Sequence, residues 1–421
     1  MIRTAVAGLG LVALAVAAAG CSSGSASSSG DGSGRLRVQV SGEPEETHVY
    51  SSIARAFEKA NEGVEVEVVA VPSKADHLAR LSTSFAAGNP PDVFLVNYRE
   101  YAQFVARGAV EPVERYLRAQ DVDLSAYYEQ PVEAFTYEGQ LQCMPQNVSS
   151  LVVYYNRAVF RAAGVEEPGD DWTWDDFVRT AEQLTAGDVR GVGIDASIVR
   201  LAPFVWSAGG EVVDDPESPT RLTLDEPAAK AAVRDVVELV RSGAVPTEEE
   251  VAAQDLPTRF VSGKLGMLLS SRREVPALRE VAGLDFDVAP LPRRGEPVTI
   301  LHSDAYCLSK GAEDHDLAGR FVAFATSTQG QTLAALSGRT VPSLRAVAES
   351  PVFLDPSRAP SRSQVFLDSI RSMRRTPVVP VWPEVEDVAE EQLTRAFYDP
   401  GTTLDEALAE LDRRTRPLLA R

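Results

Sequence analysis

The stretch ADHLARLSTSFAAGNPPDVFLV, residues 75–96, decides how the chain folds. From Ala75 to Ala87 it reads as a helix. Gly88-Asn89-Pro90-Pro91 stops that helix, because proline has no N–H for the helical ladder and its ring clashes with the preceding turn. Asp92-Val93-Phe94-Leu95-Val96 is then an apolar run, as expected of a buried parallel strand. Upstream, Leu36, Val38 and Val40 alternate with polar residues as a strand, and Ser41 to Glu46 is a polar turn. A helix carries Ile53, Ala54 and Phe57 to a stop at Asn61-Glu62-Gly63, and Val64, Val66, Val68 and Val71 form the next strand. Strand, helix, strand, helix, strand predicts an α/β domain with parallel pairing.

Beyond Tyr116 the pattern is irregular. Leu141 to Met144 reads as a short strand leading to Pro145, and Ser150 to Tyr155 as another. Thr173 opens a helix with Asp176 in the capping-box position, and Phe177, Ala181 and Leu184 share its apolar face. Further helices are expected from Ala228 to Val240, around Phe260, and from Leu317 to Ser337 with a break. Strands are expected from Leu265 to Leu269 and from Ala305 to Leu308. The tail after Ser363 reads as helices interrupted by Pro-rich residues 378–383.

With 421 residues the chain exceeds one ordinary core and suits two lobes, and 44% hydrophobic with 24% charged residues is a globular composition. Arg3 precedes an apolar stretch from Ala5 to Ala19, too short to span a bilayer and about right for a signal-peptide core. The stretch ends in Ala18-Ala19-Gly20-Cys21, which resembles a bacterial lipobox. The expectation is a signal peptide over residues 1–20, lipidation of Cys21, and a Ser/Gly tether over 21–34 holding the body at the outer face of the cell membrane. A net charge of −20 disfavours nucleic acid and anionic headgroups as partners. Cys143 and Cys307 remain as either a disulfide, which export permits, or two buried thiols.

The order of motifs resembles extracellular solute-binding protein family 1, which includes maltose- and other oligosaccharide-binding proteins. Ala86-Ala87-Gly88-Asn89-Pro90-Pro91-Asp92-Val93 is similar to that family's AAGxxPDV. Gly108 to Val113, Tyr155-Asn156-Arg157 through Phe160, Trp174-Asp175-Asp176-Phe177, Phe260 to Met267 and Val288 to Pro292 follow in the family's order. The resemblance implies a two-lobe, periplasmic-binding-protein-like α/β fold with a multi-strand hinge and a central cleft. Crossings are expected near Pro145, His302 and Arg339, giving lobe 1 from 35–144 and 303–339 and lobe 2 from 145–302 and 340–421. It further implies capture of a small solute, a mono- or oligosaccharide, by lobe closure, with ABC permease subunits as partners, a monomeric state and no cofactor.

Ligands of α/β sheets gather outside the carboxyl ends of strands. That rule selects Gly42, Glu43 and Glu45 after the first strand, Asn97 and Tyr98 after the third, and Gln146 and Asn147 at the first crossing. The resemblance adds Trp206 beside Gly209 and Gly210, then Ser271 and Arg272, and Arg339 at the third crossing. His302-Ser303-Asp304 departs from a Gly-Gly common in the family, and Ser303 and Asp304 are taken as contacts there. Trp206→Ala is expected to weaken binding while barely moving the melting temperature. Catalysis is not expected. Gly20-Cys21-Ser22-Ser23-Gly24 fits the G-x-S-x-G hydrolase pattern but lies across the cleavage site. His48, His77, His302 and His315 form no pair at zinc-ligand spacing. A secreted carbohydrate-active hydrolase, or a receptor with a non-sugar ligand on the same fold, is the competing reading.

Overall fold

The computed structural model describes residues 34–42 and 44–420, with side chains for all of these except 44–46. The expected signal peptide, Cys21 and residues 21–33 of the tether lie outside the described residues, as do Glu43 and the Glu45 side chain. Gly34, expected to close the tether, already opens the first strand.

The N-terminal elements alternate as expected: β1 (Gly34–Ser41), α1 (Pro44–Ala60), β2 (Val64–Val71), α2 (Lys74–Ala86), β3 (Val93–Asn97) and α3 (Tyr98–Ala106). β1 pairs in parallel with β2 and β3. The other neighbour of β3 comes from two hundred residues away, the antiparallel strand Asp304–Ser309. That strand also pairs with Val110–Glu111 and Cys143–Pro145, so the sheet is mixed where the local pattern predicted only parallel pairing. Cys143 stands opposite Cys307 in this register, and the two form a disulfide.

A second sheet runs Arg190–Gly193, Leu265–Ser270, Val152–Asn156, Phe286–Ala289. Its strand Val152–Asn156 is buried along its whole length. Successive side chains of a strand face opposite sides, so Val152 and Tyr154 join the apolar core continuous with the first sheet, while Val153 and Tyr155 join a separate core. Thr173 and Asp176 form the anticipated capping box on the helix Trp174–Leu184.

A third, small sheet of Met373–Arg374, Thr299–His302 and Ser149–Ser150 stands where the chain passes between the two larger ones. Beside it Asn147 bridges Pro342. The return past residue 339 runs first along the first sheet's side, with Leu344 bridged to Tyr127. Helices Trp382–Tyr398 and Leu404–Leu419 then pack on the second core through Trp382, Leu393 and Leu408. Among the described residues no helix is long and apolar enough to cross a membrane.

Candidate functional site

β2 and β3 run parallel to β1, so the helices that follow them begin at the same edge of the first sheet. Ser73 caps α2, its hydroxyl accepting from Asp76 N at 3.0 Å. Asn97 caps α3, its Oδ1 accepting from Arg99 N at 3.2 Å and Arg99 Nε at 3.1 Å. The same side chain donates through Nδ2 to Asp304 Oδ1 at 3.0 Å, and Asp304 N donates to Asn147 Oδ1 at 2.7 Å. One polar network therefore runs from the first turn of α3 through a strand end to the crossing segment. Facing it from the second sheet are Ser271 and Arg273, just past Leu265–Ser270, and Arg200 in the helix Ile198–Ser207.

Two adjoining cavities fill the space between these groups. The inner one, about 210 Å³, is floored by Gly42, Val96, Asn97 and Asp304 and walled by Asn147 and Arg339. The outer one, about 690 Å³, opens toward Asp195, Arg200, Glu248, Asp387, Glu390 and Tyr398. Lys74, Arg99, Ser271, Arg273 and His302 border both. No Phe, Tyr or Trp lines the inner cavity among the described residues, and Tyr398 is the one such residue on the outer.

The charges here are paired across elements. Lys74 meets Glu100 in an ion pair, Arg200 meets Asp195 at 3.2 Å, and Arg99 reaches across to both carboxylate oxygens of Glu386 at 2.9 Å. Glu386 also accepts from Trp382 Nε1 at 2.8 Å, so it is anchored on the second core while it grips α3. Burial opposes the charge on Arg99, but the Glu386 carboxylate overcomes that and raises its pKa. Burial raises Glu100 against the pull of Lys74 and Arg99. His302 is pushed well below its usual range, first by burial and then by the cations Arg200, Arg99, Arg273 and Lys74. Glu386→Gln is expected to cost about 2 kcal/mol of stability in urea unfolding, because a mostly buried guanidinium loses its charged acceptor. A cost near zero would mean that solvent already screens the pair.

Of the residues expected from sequence, Gly42, Asn97, Asn147, Ser271, Asp304 and Arg339 border the inner cavity together. Glu43 and the Glu45 side chain lie outside what the structure describes, and the remaining expectations are corrected. Tyr98 is fully buried, and its hydroxyl shares a 3.0 Å hydrogen bond with Thr376 Oγ1, so it packs α3 in place. Gln146 is buried and donates to the Tyr50 hydroxyl at 2.9 Å. Ser303 is buried and donates to the Asn147 carbonyl at 2.7 Å. Arg272 points into the core, with its guanidinium over Phe353 and Phe366. A Cβ on Gly210 would stand 2.7 Å from the Ala229 N, so that glycine serves close helix packing, and Gly209 supplies a left-handed turn with φ of 78°.

Trp206 is buried in the second core with the Arg374 guanidinium 4.7 Å from its ring, and it borders neither cavity. Trp206→Ala is therefore expected to cost about 3–5 kcal/mol in denaturant unfolding, with affinity unchanged in the folded fraction. Weakened binding at unchanged stability would restore the contact role. The sequence reading passed over Lys74, His77, Arg99, Arg200 and Arg273. Lys74 and Arg99 sit in the first turn of helices that start at strand ends, which is the signal that would have found them.

Residues 52–360 match the family described as bacterial extracellular solute-binding protein. The chain belongs to that family. A binding protein of Brucella abortus (strain 2308) is 23% identical over 376 residues, covering 86% of this chain and 89% of that one. Two solved structures are similar over nearly their whole length. One is an ABC substrate-binding protein of Listeria monocytogenes in complex with cycloalternan, with a TM-score of 0.84 and 21% identity over 91% of this chain and 98% of that one. The other is UgpB of Mycobacterium tuberculosis in complex with glycerophosphocholine, with a TM-score of 0.81 and 19% identity over 92% and 99%. As an extracellular solute-binding protein the chain is exported, and it has the two-lobe periplasmic-binding-protein fold of these structures, with the two large sheets as lobes and the cavities between them.

Proposed function

We propose that this solute-binding protein is the lipid-anchored, monomeric substrate-binding subunit of an ABC importer, and that it captures a mono- or oligosaccharide by closing its lobes over the two cavities. The observation that carries the reading is the cleft itself. Hydrogen-bonding side chains from both sheets and from the crossing segments converge on the two adjoining cavities, with Asn97, Asp304 and Asn147 already joined in a network. Such a site supplies planar donors and acceptors matched to hydroxyl groups. Ligand touching both lobes favours the closed state by its differential affinity, and the importer reads the closed surface. The lobes are taken as 35–144 with 303–339, and 145–302 with 340–421. No catalytic step is assigned to the site. Cys21 carries the lipid, and Cys21→Ala is expected to release the protein from membranes into the medium. A thermal-shift screen of a small-metabolite library, followed by product analysis of any ligand, tests the reading. Saturable stabilisation without turnover supports it, and conversion of an oligosaccharide to shorter products would hand the site to the hydrolase reading.

A further inference from the structure

The wall shared by the two cavities differs in charge from the rest of the cleft. Of the five residues that border both cavities, three are cations, and they come from both lobes: Lys74 and Arg99 from the first, Arg273 from the second. Lys74 and Arg273 are 55% and 65% exposed, so their charged ends stand in the cleft and not in the core. The fourth is His302 on the crossing strand Thr299–His302, whose Nε2 is buried without a hydrogen-bond partner among the described residues. Lys74 follows Ser73 at the start of α2, and Arg99 lies in the first turn of α3, so two helix N-termini add their partial positive charge at this point.

The carboxylates are distributed differently. Asp195, Asp387 and Glu390 gather on the outer cavity, where burial and then Asp195, Asp387 and Glu386 raise Glu390. Glu100 and Asp304 border the inner cavity, Glu100 with a raised pKa from burial and Asp304 bonded to Asn97. Glu386 is committed to Arg99 and Trp382, and Glu274 lies 3.6 Å from Arg273. After burial, the largest influences on the His302 ring are the cations Arg200, Arg99, Arg273 and Lys74. Lys74 is paired with Glu100 and Arg99 with Glu386, so what the shared wall offers a negative group is the N–H donors these pairs leave over together with the exposed Arg273 guanidinium, whereas the outer rim presents the carboxylates of Asp387 and Glu390. Aromatic faces for stacking neutral sugar rings are scarce here, which leaves charge and hydrogen bonds to carry recognition.

We infer that the captured solute is an anionic polyol, a hydroxylated body bearing one phosphate or carboxylate, with that oxyanion seated at the shared wall against Lys74, Arg99, Arg273 and the free Nε2 of His302. The inference rests on the solute-capture reading of this cleft. Guanidinium and ammonium groups hold small oxyanions through charge-assisted hydrogen bonds, and the neutral imidazole donates from Nε2 when its proton sits there. The hydroxylated remainder extends toward the outer cavity, where carboxylates accept from hydroxyls.

Matched probes test this. Calorimetry and thermal shift on the purified protein compare glucose with glucose 6-phosphate and glucuronate, and glycerol with glycerol 3-phosphate and glycerate. At least one anion is expected to bind about tenfold or more tightly than its neutral counterpart, and the phosphate and carboxylate arms separate the two oxyanions. Arg273→Gln and Lys74→Gln are each expected to weaken that binding by about tenfold; Arg273→Gln leaves the melting temperature of the unliganded protein unchanged, whereas Lys74→Gln lowers it because the buried Glu100 loses its cation. Equal or tighter binding of the neutral member overturns the anion while leaving solute capture intact. Binding of none of the anions, or anion binding indifferent to both substitutions, also overturns it. Turnover of a bound probe would instead sink the capture reading beneath it.

Discussion

Replacing Cys143 and Cys307 together by alanine is expected to lower the unfolding free energy by about 5 kcal/mol, because the bond closes a loop of 164 residues in the unfolded chain. The location makes the loop long. Cys143 lies on the strand that ends the chain's first passage through the first sheet, and Cys307 on the strand that re-enters that sheet after the excursion through the second. The bond therefore fastens the two ends of that excursion. Both residues are fully buried, so alanine is the test substitution; serine would add a buried hydroxyl in need of a partner. Urea unfolding of the double variant against the oxidised protein checks the figure. A difference below about 1 kcal/mol would mean that the unfolded chain already keeps these strands close, so that the cross-link removes little freedom.

The bond and the strands it joins mark how far the sequence could be read. The N-terminal α/β run was legible because each element carries its own signal: alternation in β1, the Gly88–Pro91 stop after α2, the apolar run of β3. The partner of β3 was not, since Ala305 to Leu308 looks like any short apolar strand, and only the closed fold brings it beside residues some 200 positions away. The cleft followed the same division. The rule that ligands sit past strand ends picked Gly42, Asn97 and Asn147, and the resemblance Ser271 and Asp304, all of which border the inner cavity. It did not fix which of two consecutive side chains turns outward. Tyr98 goes to the core and Arg99 to the cleft, and likewise Arg272 to the core and Arg273 to the cleft. That choice depends on the local backbone direction after the strand, which composition does not encode. Trp206 failed for a related reason, because a large aromatic near a glycine pair serves packing as readily as stacking.

The adjacent arginines make that division measurable. Arg272→Ala is expected to cost about 4 kcal/mol, whereas Arg273→Ala is expected to stay within about 0.5 kcal/mol of the parent and to lose its effect only on binding. The Arg272 guanidinium donates to the Gly338 carbonyl and to Ser363 Oγ, each at 2.9 Å, and lies 4.7 Å from the Phe353 ring and 5.1 Å from Phe366. It ties the end of the strand Leu265–Ser270 to the segment beyond residue 337, so its removal leaves a buried acceptor unpaired and a gap between two rings. Arg272→Lys is not expected to rescue, since an ammonium cannot lie flat on both rings while reaching both acceptors. Burial lowers the proton affinity of Arg272, so part of what its bonds contribute offsets the cost of holding a charge away from water. Arg272→Met tests how large that part is, because it keeps the apolar stem and removes the charge. If Arg272→Met unfolds at the parent's urea midpoint while Arg272→Ala falls well below it, packing of the stem between Phe353 and Phe366 is what this residue supplies. If both fall together, the hydrogen bonds to Gly338 and Ser363 are.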